Sequence, residues 1–232
     1  MKRFLIITFS LLLSQPGFAP RVFAAEYKCP KVPEILIRAS NNSMVEHICD
    51  AADRAVHFLG NYQLRPQRTI PIWVISKRIN QNGYMAYGSY DRKADQIRMM
   101  SLDAILSSRE PPKMYDMAFD KEHYIGAVAH EITHAIFQHS ASDVEEKWNN
   151  AAHEYIAHAT QLGVLSEAKR DEVIHSEGTG PWESGDEISV TYMGFNTRGF
   201  AVKSYLHLTQ QAEPQKFINL LLNHKWLYIS VP

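Results

Sequence analysis

The stretch His130-Glu131-Ile132-Thr133-His134 decides how the rest of this sequence is interpreted. It lies in a mainly apolar segment without proline, which predicts a helix from about Lys121 to Gln138. Residues four apart lie on the same helix face, so His130 and His134 can both reach one metal ion. Glu131 projects about 100° further round, where a carboxylate can take a proton from a water on that metal. The alternative is a buried helix with two core histidines and a chance glutamate.

A third ligand is expected, because a catalytic zinc takes three protein ligands and keeps one position open. Glu154 is the best candidate in this chain. It lies on a second predicted helix, which opens with the capping box Ser142-Asp143-Val144-Glu145 and runs to about Leu162. Two helices joined by a short loop pack antiparallel, which brings Glu154 back over the two histidines. The alternative for Glu154 is a solvated surface glutamate.

Two other patterns for the third ligand fail on the residues present. A third histidine ten positions after His130 would need glycine at 137 and histidine at 140, and the chain has Phe137 and Ser140. An aspartate after a Gly-Thr pair is also absent, because Gly178-Thr179-Gly180 is followed by Pro181. Glu154 therefore remains the preferred third ligand.

The motif His130-Glu131-x-x-His134, followed by Glu154-Tyr155-Ile156-Ala157, resembles that of the gluzincin metallopeptidases. The resemblance covers residues 120–165 closely. It implies an α+β, zincin-like fold, in which a small mixed sheet packs on an active-site helix and the C-terminal lobe is mainly helical. It also implies peptide-bond hydrolysis with one Zn²⁺ per chain, Glu131 as general base, and His130, His134 and Glu154 as metal ligands. Thermolysin-like members have an acidic residue four positions after the glutamate ligand, whereas this chain has His158, which could bond Glu154 or line the pocket.

The N-terminal half contains strand signals. Thr69 to Ile75 is apolar and β-branched, which predicts a strand with Pro71 at an early or edge position. Tyr84 to Tyr90 and Gln96 to Ser101 flank a polar turn and predict a β-hairpin. A strand such as Gln96 to Met100 at a sheet edge could pair with an extended peptide, although an ordinary sheet strand is the alternative.

The C-terminal half offers one further catalytic candidate. Peptide hydrolysis needs a donor for the negative charge that develops on the carbonyl oxygen. Tyr192, just before a predicted helical segment from Gly194 to Leu208, is the first candidate, with a structural tyrosine as the alternative. Ser176 to Asp186 is rich in small polar residues and is either a loop over the cleft or a plain surface connection.

The first 24 residues predict a signal peptide. Lys2 and Arg3 precede an apolar segment, Phe4 to Leu13, that is too short to span a bilayer, and Val22-Phe23-Ala24 offers a cleavage site. We therefore expect a single domain over residues 25–232, with a β-containing lobe to about residue 120 and a helical remainder. A secreted or periplasmic location favours a disulfide between the two cysteines, Cys29 and Cys49, against the alternative of two buried thiols.

The net charge of the chain bears on which classes of ligand it is expected to bind. The 232-residue chain has a formal net charge of −1, which gives no reason to expect binding to nucleic acid or to an anionic membrane surface. The combined expectation is an exported zinc peptidase that acts on a peptide or protein substrate and has no membrane span in its mature chain. The alternative is a non-catalytic metal-binding or interaction protein on the same scaffold, although such a protein would not need Glu131.

Overall fold

The computed structural model describes residues 25–81, 84–141 and 150–223. The predicted signal peptide and the capping box at Ser142 lie outside the described residues. The strands among the described residues are β1 (Ala25–Lys28), β2 (Ile35–Ala39), β3 (Ile70–Ile75), β4 (Ile79–Gln81), β5 (Tyr84–Ala86), β6 (Gly88–Asp91), β7 (Gln96–Met100), β8 (Lys113–Met114) and β9 (Met117–Ala118). The helices in the same ranges are α1 (Val45–Gly60), α2 (Leu102–Leu106), α3 (Lys121–Ser140), α4 (Asn150–Gly163), α5 (Glu167–Glu177), α6 (Val190–Phe195), α7 (Thr197–Gln210) and α8 (Pro214–Leu222). The predicted α+β class is confirmed. The last described strand ends at Ala118, and the described elements from Lys121 onward are all helices.

The main sheet has five strands in the order β1-β2-β3-β7-β6. Strands β2, β3 and β7 are parallel to one another, and the outer strands β1 and β6 run antiparallel to their neighbours. Strand β3 alternates buried Ile70 and Ile72 with Pro71 and the partly exposed Trp73, so one face of the sheet enters the core. Pro71 is the second residue of β3, which is an interior strand. Of the two predicted positions for Pro71, the structure therefore shows the early one and not the edge one.

The predicted hairpin is confirmed for β6 and β7, where Tyr90 lies opposite Ile97. Strand β5 belongs instead to a separate two-stranded arm with β4. Of the two alternatives for Gln96 to Met100, the structure shows the ordinary sheet strand: β7 is covered on both sides by β3 and β6, and β6 is the edge strand. Local sequence sets the pairing of a hairpin, but the order of non-adjacent strands depends on long-range packing.

The disulfide between Cys29 and Cys49 is present in the structure, with 5.2 Å between the two Cα atoms. It joins the segment after β1 to the first half of α1. Helix α1 buries Ile48, Ala52 and Leu59 on one face, and the alanine there allows close packing against α3. Each helix in the described parts of the chain is too short or too polar to cross a bilayer.

Helix α3 begins where the sequence predicts, because the Asp120 side chain accepts a hydrogen bond of 2.9 Å from the backbone N–H of His123. The helix is buried on nearly every face. It is enclosed because it packs against α1, α4 and the edge strand β6. His123 is consequently a core residue in contact with Phe119 and does not line the cleft.

The helical lobe departs from the predicted single segment over Gly194 to Leu208. Helices α6 and α7 are separated at Asn196, whose side-chain carbonyl caps α7 by accepting from the N–H of Gly199 at 2.8 Å. The preceding connection is anchored by Trp182, which is 2% exposed and donates from Nε1 to Ser204 Oγ at 3.0 Å. No residue of the fully described range 176–186 lines the cleft, so this segment is a surface connection.

Candidate metal centre

Helices α3 and α4 pack against each other and bring three potential metal ligands together. Nε2 of His130 lies 3.1 Å from Nε2 of His134. Glu154 directs Oε2 to 3.5 Å from Nε2 of His130 and Oε1 to 3.8 Å from Nε2 of His134. The three ligand atoms lie within 4.8 Å of one another, and no other such trio of His, Cys, Asp or Glu occurs in the described ranges. The structure therefore has a His130–His134–Glu154 cluster that could hold a metal ion.

These separations fit a small divalent cation. Zn–N and Zn–O bonds of about 2.0–2.1 Å place tetrahedral ligand atoms roughly 3.3 Å apart. The two imidazole nitrogens are 3.1 Å apart, and the two Glu154 oxygens lie 3.5 Å from His130 and 3.8 Å from His134, so small side-chain adjustments bring one oxygen to that value. Two imidazole nitrogens and one carboxylate oxygen form a donor set that suits zinc.

The charge states of the cluster also suit a cation. Burial acts to raise the pKa of Glu154, but the neighbouring imidazoles lower it by more, so its pKa lies well below the usual value and the carboxylate is ionised. Burial lowers the pKa of His134 to about 4, which leaves a neutral imidazole. Burial also lowers the pKa of His130, but the hydrogen bond and charge of Glu154 raise it above its usual value. A proton shared between His130 and Glu154 would therefore compete with a metal ion for the same ligand atoms.

Glu131 lies beside the cluster and against the edge strand. Its side chain is 9% exposed, and burial raises its pKa to about 7 although His130 acts in the opposite direction. The backbone of Tyr90 on β6 donates a hydrogen bond to this carboxylate. A Cβ atom at Gly88 would lie 2.7 Å from Cγ of Glu131, so the strand approaches the glutamate closely at a residue without a side chain. An isolated glycine in a strand was a sequence signal for such an approach, but it does not identify the partner.

His158 lies one turn after Glu154 and lines the cleft. Its Nε2 is 3.7 Å from Oε2 of Glu154, which is too far for a hydrogen bond. Burial lowers the pKa of His158 to about 3, so its imidazole is neutral. The neighbouring His153 is also buried, and its ring packs against Phe137 on α3 with 4.7 Å between ring centroids. Helix α4 is covered on a second side by α7, a packing that its sequence does not reveal.

A cleft of about 870 Å³ opens over the cluster. Edge strand β6 forms one wall, and the β8–β9 turn and the junction between α6 and α7 form others. Phe195 lies at this junction and is 88% exposed, which is unusual for a large apolar side chain. The cluster therefore has one open side, reached through a cleft with an apolar side chain at its rim.

Tyr192, the predicted donor to the carbonyl oxygen, lies on α6 and packs edge-on against Trp182 with 5.0 Å between ring centroids. Of the described residues, its neighbour Met193 lines the cleft, but Tyr192 does not. Its catalytic role remains a prediction. Phe195 and Gly88 were missed in the sequence, because neither belongs to a motif and both depend on elements distant in the chain.

Comparison with known protein families gives a match over residues 35–231, to a family described as a family of unknown function (DUF6639). No curated protein and no solved structure matches the chain. The family match spans most of the chain and includes α3 and α4, with His130, Glu131, His134 and Glu154. The chain therefore belongs to the DUF6639 family of unknown function.

Proposed function

We propose that this protein is a zinc-dependent peptidase of the gluzincin type on a zincin-like scaffold. The observation that carries the proposal is the convergence of Nε2 of His130, Nε2 of His134 and a carboxylate oxygen of Glu154 at the base of an open cleft. Glu131, in the position of a general base, and the antiparallel edge strand β6 beside α3 support the same reading. One zinc ion per chain is the expected cofactor.

The donor set and its surroundings favour a catalytic over a structural zinc. Structural zinc sites are closed by four protein ligands, whereas catalytic sites keep one position for water or substrate. The cluster supplies three ligands, and the cleft supplies access. When bound there, zinc would act as a Lewis acid that lowers the pKa of water and polarises a carbonyl group.

Glu131 carries the proton transfers in this mechanism. Its carboxylate accepts a proton from the attacking water and returns it to the amine nitrogen that leaves when the peptide bond breaks. The backbone N–H of Tyr90 holds the carboxylate in one orientation, and Gly88 leaves space for it. The ionised Glu154 balances positive charge at the cluster, while His158 lies 3.7 Å from Oε2, the same oxygen that faces His130.

The edge strand β6 provides a means of binding an extended peptide. An edge strand has unpaired backbone N–H and C=O groups, and a peptide that pairs with them is held by main-chain hydrogen bonds. Gly88, Ser89 and Tyr90 of β6 all line the cleft next to Glu131. The substrate proposed is therefore a peptide, or an extended segment of a protein, that lies along β6.

We also propose that the protein is exported, with its signal peptide removed after Ala24. The Cys29–Cys49 disulfide is compatible with an oxidising compartment outside the cytoplasm. The N-terminal sequence of the protein recovered from the periplasm or medium tests this. A mature chain that begins at Ala25 supports export, and retention of Met1 on a cytoplasmic protein contradicts it.

The test of the activity uses the purified, zinc-loaded protein and a mixed peptide pool. We expect cleavage that a zinc chelator abolishes and that added zinc restores. Glu131→Gln should retain zinc but lose turnover by about 10²-fold or more, because the proton acceptor is removed. The matched control is Glu172→Gln, an exposed glutamate on α5. Cleavage by Glu131→Gln at the parent rate contradicts the mechanism, and zinc binding without any turnover by the parent supports the non-catalytic alternative.

A further inference from the structure

A second pocket of about 370 Å³ adjoins the cleft at the far end of β6. Its lining includes three cationic side chains, from Arg92, Lys93 and Arg98. The acidic residue in the lining is Asp91, whose Oδ1 already accepts hydrogen bonds from the backbone N–H groups of Lys93 and Ala94. Positive charge therefore predominates, which favours an anionic ligand.

Ser89 provides an independent indication of a ligand. Ser89 on β6 lies opposite Arg98 on β7, so the two side chains emerge on the same face of the sheet. Ser89 is 8% exposed, and its Oγ has no hydrogen-bond partner among the described residues. Buried hydroxyl groups in proteins normally have a partner. A hydroxyl donor beside cationic groups is a suitable arrangement for binding a carboxylate.

Lys93 and Arg98 are available for such a ligand. No acidic side chain in the described parts of the chain forms an ion pair with Lys93 or Arg98. The nearby Asp95 is already engaged by Arg68 and His139, at 2.6 and 2.9 Å. Ser89, Lys93 and Arg98 are thus donors that no acidic side chain in the described residues engages.

The pocket is continuous with the proposed peptide path. Ser89 and Tyr90 line both the cleft and this pocket. Gly88 and Tyr90 are the β6 residues that approach Glu131, whereas Lys93 is three residues beyond Tyr90. β6 ends at Asp91 and Lys93 lies in the turn that follows, so a peptide that runs along β6 passes Ser89 beside the reacting bond and meets Lys93 within about three residues of it.

We propose that Ser89, Lys93 and Arg98 form a subsite for an acidic side chain of the substrate, within about three residues of the bond that is cleaved. The substrate class is accordingly a peptide with Asp or Glu at that distance. The peptide as ligand rests on the proposed function, but anion binding is measured without turnover. Failure of the two proposals can therefore be distinguished.

The experiment uses the zinc-loaded Glu131→Gln protein and eight-residue peptides in which a single Glu is moved through every position. Each peptide has a partner with Gln in place of Glu, and binding is followed by calorimetry. We expect about tenfold tighter binding of the Glu peptide at one position, with little difference elsewhere. The preference should disappear when Lys93→Gln and Arg98→Gln are combined, and weaken in Ser89→Ala.

The matched control is Arg109→Gln, which removes one exposed positive charge outside both pockets. It should leave the Glu preference intact. Equal binding of Glu and Gln peptides at every position overturns the subsite, and so does a preference that survives the double variant. Inorganic phosphate is tested separately: if it binds this pocket while the peptides show no Glu preference, the pocket is a site for free anions and the substrate proposal fails. If the parent cleaves no peptide but the Glu preference persists in binding, the peptidase proposal fails and the anion subsite stands.

Discussion

Gly88 and Glu131 approach so closely that a Cβ atom at Gly88 would lie 2.7 Å from Cγ of the glutamate. The same atom would lie 2.4 Å from Sδ of Met99 on β7. The edge strand and the α3 helix therefore meet at a residue where any side chain forces a shift. Since Glu131 is the proposed proton carrier, this contact links the packing of β6 to the chemistry.

Gly88→Ala should lower peptidase activity by about tenfold or more, because small displacements of a catalytic group have large effects on rate. Overpacking should also reduce the free energy of unfolding by about 1–3 kcal/mol. Zinc content should remain that of the parent, since no ligand is touched. The control is Gly180→Ala, where an added Cβ meets nothing within 4 Å. Parent-like activity in Gly88→Ala would show that the contact does not position Glu131.

Phe195→Ala should raise KM by about tenfold with a smaller change in kcat. The exposed ring lies at the cleft rim, and burying a phenylalanine against substrate contributes about 1.5–3 kcal/mol. Leu106→Ala is the control, because Leu106 is also exposed, at 50%, but is outside the cleft lining. Steady-state kinetics on one peptide measure KM and kcat for each variant. An unchanged KM for Phe195→Ala would mean that the ring does not contact substrate.

Asp120→Ala should reduce the free energy of unfolding by about 1 kcal/mol, since the side chain caps the helix that carries the motif. Asp120→Asn keeps a hydrogen-bond acceptor for His123 but loses the charge that faces Lys169, 3.0 Å away. It should therefore be intermediate. Urea unfolding of the three proteins at pH 7 measures the differences, and Asp120→Ala as stable as the parent would contradict the capping role.

The charge of Asp120 also predicts a pH dependence. Burial acts to raise its pKa, but the backbone N–H of His123 and the ammonium group of Lys169 lower it by more, so the pKa of the folded state lies below 3.8. The ionised form then stabilises the folded state at pH values above the unfolded pKa, and this contribution is lost as the pH falls through the folded pKa. The difference in the free energy of unfolding between the parent and Asp120→Asn should be constant from pH 7 to 5 and should become smaller below about pH 4. A difference in unfolding free energy that becomes larger in acid would contradict the predicted direction of this pH dependence.

Replacement of both Cys29 and Cys49 by serine should lower the free energy of unfolding by about 3 kcal/mol, because the bridge closes a loop between residues 20 apart. The metal cluster lies on other helices, so zinc content and activity at 25 °C should be retained. Denaturant unfolding with and without a reductant provides the measurement. A parent protein whose stability is insensitive to reduction would show that the bridge does not constrain the unfolded chain.

Much of the site could be predicted from local sequence. The spacing of His130 and His134 and the position of Glu154 on the following helix are short-range patterns, and the structure brings the three residues together. The Asp120 cap and the β6–β7 hairpin depend on neighbouring residues in the same way. Such features are encoded by a helix or strand and its immediate connection.

The remainder depends on contacts between distant segments. The position of β6 at the sheet edge follows from the insertion of β7 beside β3, which the sequence of either strand does not specify. The burial of His153 follows from the packing of its ring on Phe137 of α3, and the Gly88–Glu131 contact joins residues 43 apart. Tyr192 was selected for its chemistry, but its position beside Trp182 is set by tertiary packing.

The most direct test of the central claim is the zinc stoichiometry of the purified protein and of Glu154→Ala, with Glu172→Ala as the control on a separate helix. We expect one zinc per chain in the parent and in Glu172→Ala. Glu154→Ala should lose zinc on dialysis against a weak chelator, because one of the three ligands and the charge that balances the cation are missing. If Glu154→Ala keeps a full equivalent of zinc with the affinity of the parent, or if the parent binds none, the proposed metal centre is wrong.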